Sequence, residues 1–481
     1  MTGASLFDLF QEATRSAGDA PALTHPGRVC SFSELHEAVI AQAHQLSGLT
    51  RPGPIAILTH DGVAFLTGFF ACAAVGRAAM PLDPAQAPES LTSLFSMHLP
   101  AAIIAPEVLP RRLEGLRRLV MTAGAISNDQ PLPERDGCGE FYWGLTSGTT
   151  GEPKLFARSH ASWIASFDAA EAVFASPARS RVLIPGPLHH SLFLYGAVHA
   201  LCRGHTVLLP QGQFRRNRFA EALSQATHLY AVPFMLAEII KTGPPAPNLR
   251  VIFSGGSKLP QDARRAVERT WPDADLVEFY GASETSFITF HSTRDPASDG
   301  SVGRPFPGVN IEIRDAGGQF LPPGQHGEIF VSSPMLFSRY VGEEPAGSWF
   351  SVGDTGYFDE LGCLHLAGRT NRMIKSRGLK IHPEAIEAAL LELPEIRRAA
   401  VIGLPDASRG AVAVAAVEFA NGAVLPRKRL SAHCRAALGL RACPRGFFAF
   451  DELPLTRTGK VAVAVVRQAL IEGGASFREL R

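Results

Sequence analysis

Two spacings of apolar residues alternate along most of this chain. "SLFDLFQEATRSAG" sets them at helical intervals and closes on glycine, as an amphipathic helix does. "ALTHPGRVCSFSELHEAVIAQAHQL" predicts a strand, a turn and a helix opened by Ser33. "GPIAILTHDGVAFLTGFFACAAVGRAAMPLD" gives strand, helix and strand. The runs "AAIIAP" and "RRLVMTA" are of strand type. "RVLIPGP" and "HTVLLP" flank another helix, and "HLYAVPF", "LRVIFSGG" and "LVEFYG" follow with helices between them. Strands alternating with helices predict parallel sheets covered on both faces, in several layers before about residue 330.

The rhythm changes after Gly300. "NIEIRDAGGQFLPPGQHGEIFVSS" and "SWFSVGDTGYFDELGCLHLAGR" read as strands parted by Gly and Pro turns, a small antiparallel β unit. Beyond Arg369 a compact basic stretch leads into "PEAIEAALLEL", "RRAAVIGLP" and "AVAVAAVEF", a helix followed by two strands. The expected fold is therefore α/β and α+β, in more than one domain. A large N-terminal domain, residues 1–370, holds layered, mostly parallel sheets and the β unit at about 301–368. A small C-terminal α+β domain spans 371–481.

Composition narrows the function classes. At 481 residues the chain exceeds one hydrophobic core. Apolar residues make up 46% and charged ones 19%, the balance of an ordinary globular protein. A net charge of +1, from 46 basic and 45 acidic residues, argues against nucleic acid or a membrane surface as the main partner. The seven cysteines are scattered without a CxxC pair, so neither a disulfide framework nor a zinc site is expected. The longest apolar run, Gly62 to Gly76, is too short to span a bilayer. The N-terminus carries Asp8 and Glu12 and no signal pattern, so a cytoplasmic protein is expected.

The densest chemistry lies in Thr146-Ser147-Gly148-Thr149-Thr150-Gly151-Glu152-Pro153-Lys154. Its spacing is not GxxxxGK[ST], so it is not a Walker loop. The ingredients are nonetheless those of an anion cradle. Gly148 and Gly151 let the backbone come close, four hydroxyls donate, and Lys154 adds a point charge. A Gly/Ser/Thr cluster is also a common surface turn. Four hydroxyls, two glycines and a lysine within nine residues favour the cradle.

The loop closely resembles the phosphate-binding loop of the adenylate-forming superfamily, which includes acyl- and aryl-CoA ligases and peptide-synthetase adenylation domains. Further stretches match in order as far as Lys460. "EFYGASET" resembles the aromatic-Gly-x-[ST]-Glu stretch. The resemblance implies that Tyr280 stacks on adenine beside Gly281, Ser283 meets the phosphates and Glu284 holds Mg²⁺. A carboxylate suits that hard cation. "SGGSKLP" resembles the turn beside the adenine and acyl pockets; Gly255 and Gly256 match it, and Ser257 and Lys258 depart. In "WFSVGDTGYFDELG", Asp354 would accept from the ribose hydroxyls. In "GRTNRMIKSRGLKIHPEAIE", Arg369 would reach the ribose or phosphates, and Asn371 stands at the hinge position, usually Asp or Lys. "PLTRTGKVAVAVVR" makes Lys460 the catalytic lysine.

The resemblance implies ATP and Mg²⁺ as cofactors, a mobile C-terminal domain, and an acyl-adenylate handed to the thiol of coenzyme A or of a carrier-protein pantetheine. Arg377 and Gly378 would line the thiol path; a solvated basic face is the plain alternative. In "LIPGPLHHSLFLYGAVHAL", His190 matches a histidine beside the acyl site, where a gating role is expected. Phe193, Phe234, Met235 and Phe287 would form the walls, with Gly255, and suit a fatty or aromatic acid. Amino-acid-activating members carry an aspartate for the substrate ammonium in the stretch corresponding to 187–196; no acidic residue occurs there, so the resemblance disfavours an α-amino acid. Three readings follow: an AMP-forming acid–CoA ligase, a stand-alone enzyme that loads a carrier protein, and a non-catalytic nucleotide-binding relative. Retention of Glu284, Asp354 and Lys460 argues against the third.

Overall fold

The computed structural model describes residues 3–25, 27–105, 120–121, 132–133, 137–146, 154–174, 176–210, 216–369, 372–376, 379–406, 410–420, 422–439, 443–455, 461–473 and 477–480. The chain divides into two compact units. One holds residues 1–148, 152–311 and 331–350; the other includes 312–330 and 351–481.

Four helices of the first unit, Leu6–Ala17, Phe32–Ser47, Gly62–Ala74 and His160–Val173, start where a side chain accepts from a free N–H group. The helix Leu6–Ala17 is opened by Ser5 and Asp8, each accepting from the other's backbone N–H, and closes at Gly18 with φ 55°. The next helix, Phe32–Ser47, is opened by Ser31 with Glu34 rather than by Ser33. The S-x-x-E spacing of a reciprocal cap selects Ser31, two residues earlier than expected. Helix Gly62–Ala74 buries ten consecutive residues from Phe65 to Ala74. An all-round apolar helix of that kind belongs in a core rather than on a face. Among the described residues no helix is long and apolar enough to cross a membrane.

The alternating rhythm forms two sheets. A nine-stranded sheet runs, in spatial order, 304–305, 286–292, 275–282, 251–254, 228–231, 181–183, 206–208, 21–25 and 28–31. Its five central strands, with 21–25, pair in parallel, and antiparallel strands close both edges. A seven-stranded sheet follows the order 339–340, 154–159, 140–146, 79–81, 55–57, 102–104 and 120–121. Helix Ser191–Cys202 packs on the first sheet and helix Gly62–Ala74 on the second, while helix Leu6–Ala17 touches both helices. The layers expected from the sequence are therefore present.

A four-stranded sheet, 310–314, 327–332, 354–358 and 364–369, is the small β unit; its 354–358 strand pairs antiparallel with both neighbours. The second unit also contains a six-stranded sheet built around the long hairpin Ile396–Asp406 and Gly410–Phe419. Alternate residues of that hairpin enter two different cores. Ala399, Val401, Ala413, Ala415 and Val417 face one, and Ala400, Ile402, Val414 and Ala416 the other. Period-two alternation with both faces apolar yields this double burial. All seven cysteines are free thiols.

Candidate active site

In the first unit, the sequence-selected residues follow the carboxyl ends of four neighbouring parallel strands. His190 comes after strand Arg181–Leu183, Phe234 and Met235 after His228–Ala231, and Gly255 and Gly256 after Val251–Ser254. Tyr280 and Gly281 end the strand Asp275–Ala282. The crevice beyond the carboxyl ends of such strands is where open α/β sheets bind ligands.

Glu284 occupies the tip of the hairpin between strands Asp275–Ala282 and Ser286–Ser292. The turn is closed by Thr285 N–H to Ala282 O, 3.2 Å, and by Ala282 N–H to Thr285 Oγ1, 3.0 Å. Glu284 is buried, and its Oε1 accepts the Tyr340 hydroxyl at 3.1 Å. Its carbonyl accepts the Phe337 N–H at 2.7 Å. Burial and the neighbouring Glu284 carboxylate push the Tyr340 phenol well above its ordinary range, so it acts as a donor. Lys154 Nζ lies 4.8 Å over the Tyr340 ring and 3.1 Å from Glu343 Oε1. Both members of that ion pair are half-exposed, so it is weak and easily exchanged for another anion.

Thr146 and Lys154 face each other at the root of the hydroxyl-rich loop, at the ends of paired antiparallel strands. Ser147, Gly148, Thr149, Thr150 and Gly151 lie outside the described residues, as do Asn371, Arg377, Gly378 and Lys460.

A line of hydroxyls passes behind the turn. Tyr142 OH meets Ser191 Oγ at 3.2 Å, and Ser191 Oγ meets Ser283 Oγ at 3.2 Å. Burial pushes Tyr142 up to about 12, which keeps it protonated. His190 precedes helix Ser191–Cys202, with its ring 4.5 Å from that of His189. Phe193 and Phe287 are buried, and the Phe193 ring occupies the space a Cβ on Gly186 would need. Phe287 packs edge-on to Tyr195 at 5.1 Å and stacks on Phe306 at 4.8 Å. Met235 packs against the core under the nine-stranded sheet, whereas Phe234 is 60% exposed. Gly255 admits the Phe279 ring, which a Cβ would meet at 2.4 Å, and Gly256 takes φ 88°. The buried Ser254 hydroxyl beside them has no hydrogen-bond partner among the described residues.

In the second unit, Asp354 and Arg369 stand opposite each other on paired strands, with Arg369 Nε 3.0 Å from Asp354 Oδ1. The carboxylate is buried and the guanidinium half-exposed. The expected ribose acceptor is thus held by the residue expected to reach the same nucleotide.

Arg158, Tyr340, Ser191 and Tyr142 were not singled out by sequence reasoning. Arg158 left a visible trace, a cation directly after the apolar run "LFA" of the strand "KLFARS". It is 1% exposed, and burial draws it down to about 10, so it stays charged. The other three carry no local signal, because their partners are 49 to 92 positions away.

The residues fit the groups the resemblance implies. Glu284 is a buried hard-oxygen donor, and among the described residues no Lys, Arg or His forms an ion pair with it. Mg²⁺ accepts one or two such carboxylates and completes its shell with phosphate and water oxygens. A layered α/β unit with this turn and loop, joined to an α+β unit, defines an adenylate-forming enzyme. The chain belongs to the AMP-binding enzyme family, whose profile matches residues 10–341, and the AMP-binding enzyme C-terminal domain matches residues 385–460. It is an enzyme of the AMP-forming ligase class. YhfT of Bacillus subtilis, named as an uncharacterized acyl–CoA ligase, is 37% identical over 468 residues, 93% of this chain and 96% of its own. The indoleacetate–CoA ligase of Aromatoleum aromaticum is 29% identical, across 96% of this chain and 98% of its own. Among solved structures, the amide bond synthetase McbA of Marinactinospora thermotolerans superposes with a TM-score of 0.85. It is 28% identical, covering 96% of this chain and 99% of McbA.

Proposed function

We propose that this protein activates a fatty or aryl acid with ATP and transfers the acyl group from the acyl-adenylate to the thiol of coenzyme A. The observation that carries the reading is the Glu284 turn. A buried carboxylate is oriented by Tyr340, follows Tyr280 on one hairpin, and is flanked by Lys154 at the root of a hydroxyl-rich loop. That set can hold the metal, the base and the terminal phosphates of one nucleotide. Mg²⁺ on Glu284 would supply positive charge to the phosphate oxygens.

In the first half-reaction a carboxylate oxygen bonds to the α-phosphorus of ATP, and the bond from that phosphorus to pyrophosphate breaks. Both reactants are anions, so the residues must position them and supply positive charge. Thr146–Lys154 would hold the departing pyrophosphate, Asp354 and Arg369 the ribose, and Lys460 the reacting oxygens. In the second half-reaction the thiol sulfur attacks the acyl carbon, and AMP leaves with the bonding electrons. A C-terminal domain from residue 371, turning about Asn371, would withdraw Lys460 and bring Arg377 and Gly378 to the thiol path.

The buried Phe193 and Phe287 favour an apolar acid, and His190 would act as its gate. The absence of an acidic residue from 187–196 disfavours an α-amino acid, whose ammonium needs a partner. The name of the indoleacetate–CoA ligase relative supports an aryl acid, and both ligase names support coenzyme A as acceptor. The test is pyrophosphate release across fatty, aryl and amino acids, with coenzyme A, a carrier protein or neither. Release with a fatty or aryl acid, and thioester only with coenzyme A, is expected. Thioester only on a carrier protein would move the acceptor, and no turnover with any acid would sink the reading.

A further inference from the structure

We propose that Arg158 is the positioning residue that holds the Glu284 turn and the Tyr340 segment in one rigid arrangement, ready for a magnesium–nucleotide. The proposal rests on the adenylation reading above. Arg158 lies in strand Lys154–Ser159, directly after the hydroxyl-rich loop. Among the described residues its buried guanidinium forms no ion pair, a costly condition for a cation unless its N–H groups are fully used. They are used on three segments. Nη1 donates to Ser283 O at 2.8 Å, and Nη2 donates to Ser286 Oγ at 2.7 Å and to Met335 O at 2.8 Å. Nε donates to Ser162 Oγ at 3.2 Å.

The first two contacts bracket Glu284 on either side along the chain. The third fixes the segment that carries Phe337 and Tyr340, whose N–H and hydroxyl hold the Glu284 carbonyl and carboxylate. One planar fork therefore ties together both partners of the 3.1 Å hydroxyl–carboxylate bond. The turn needs such a tie. Ser286 adopts φ 57°, a left-handed conformation that a residue with a Cβ takes only under constraint. Its carbonyl lies 1.9 Å from where a Cβ on Gly281 would sit, so the hairpin has no slack. Lysine would keep the charge and lose the fork.

The test uses the full chain carrying Arg158→Lys, beside the wild type. Calorimetry measures the affinity for ATP with Mn²⁺ as the metal and, separately, for AMP in EDTA; pyrophosphate exchange is titrated with Mg²⁺. Loosening the carboxylate turn should weaken Mn²⁺–ATP binding and raise the Mg²⁺ requirement, each about tenfold. The metal-free AMP affinity should move by less than about twofold. Equal losses for both ligands would mark general damage and overturn the proposal, as would no loss for either. Should Arg158→Lys fail to fold, Ser286→Gly removes one acceptor and relieves the left-handed backbone. It should then weaken Mn²⁺–ATP about threefold with AMP unchanged, and no such difference overturns the proposal. A wild type that neither binds Mn²⁺–ATP nor exchanges pyrophosphate overturns the adenylation reading and this proposal together. An active wild type with an unaffected variant overturns this proposal alone.

Discussion

Glu284 and Lys154 meet the same ring from different sides, the carboxylate accepting the Tyr340 hydroxyl and the ammonium lying over the ring face. Tyr340→Phe keeps the ring and removes the donor. A hydrogen bond to a charged group contributes about 1.5 kcal/mol at the low end, or roughly tenfold in rate. The kcat/KM for ATP-dependent pyrophosphate release should fall by about that factor, with the melting temperature nearly unchanged. Lys460→Ala tests the other charge. Adenylation should fall by a hundredfold or more, on the order expected for a lost transition-state cation, while thioester formation from supplied acyl-adenylate stays within about threefold. Equal loss in both half-reactions would remove Lys460 from its assigned role. At this scale the sequence exposed Glu284, because it sits in a recognisable run, "EFYGASET". It hid Tyr340, because nothing local marks a hydroxyl whose partner lies 56 residues away.

Among the elements, the hairpin of strands Asp275–Ala282 and Ser286–Ser292 is closely constrained. Its register shifts between Tyr280 and Gly281, and the Gly281 backbone crosses Ser286 without room for a methyl group. Gly281→Ala should therefore lower the unfolding free energy by about 1–3 kcal/mol, the usual cost of overpacking, and abolish acid-dependent adenylation with it. Chemical denaturation and pyrophosphate release measure the two effects. A stable, active variant would show that the hairpin yields. Many strand and helix positions were legible from apolar spacing, as far as the strands Ile396–Asp406 and Gly410–Phe419, whereas the short strands Ile374–Ser376 and Leu379–Ile381 lie in the stretch that reads only as basic. The opening of helix Phe32–Ser47 was misplaced because two serines compete within three residues, and only the reciprocal bonds of Ser31 and Glu34 decide between them.

Across the whole molecule, burial sets an acid limit. His205, His228 and His291 are each lowered to about 4, by burial first and then by His199, by His205 and by Arg264 respectively. A histidine whose folded value lies below its unfolded 6.5 binds fewer protons when folded, so its share of stability is intact above pH 6.5. That share is lost as the pH falls towards 4. The melting temperature should hold between pH 7 and 8 and decline steadily below about pH 6.5. His205→Gln should flatten that slope whatever its effect at pH 7; an unchanged slope would clear this histidine.

The sequence by itself determined the family, the layered α/β order, and the residue types able to meet a nucleotide and its metal. These are carried by local runs whose spacing is dictated by backbone period and turn chemistry. Tertiary structure alone decided which side chains hold those residues in place. The Arg158 fork, the Tyr340 hydroxyl, the Tyr142–Ser191–Ser283 line and the Asp354–Arg369 pair are set by how strands and turns are brought side by side. Chain spacing cannot specify such contacts, because a hydrogen bond depends on position in space and not on distance along the chain.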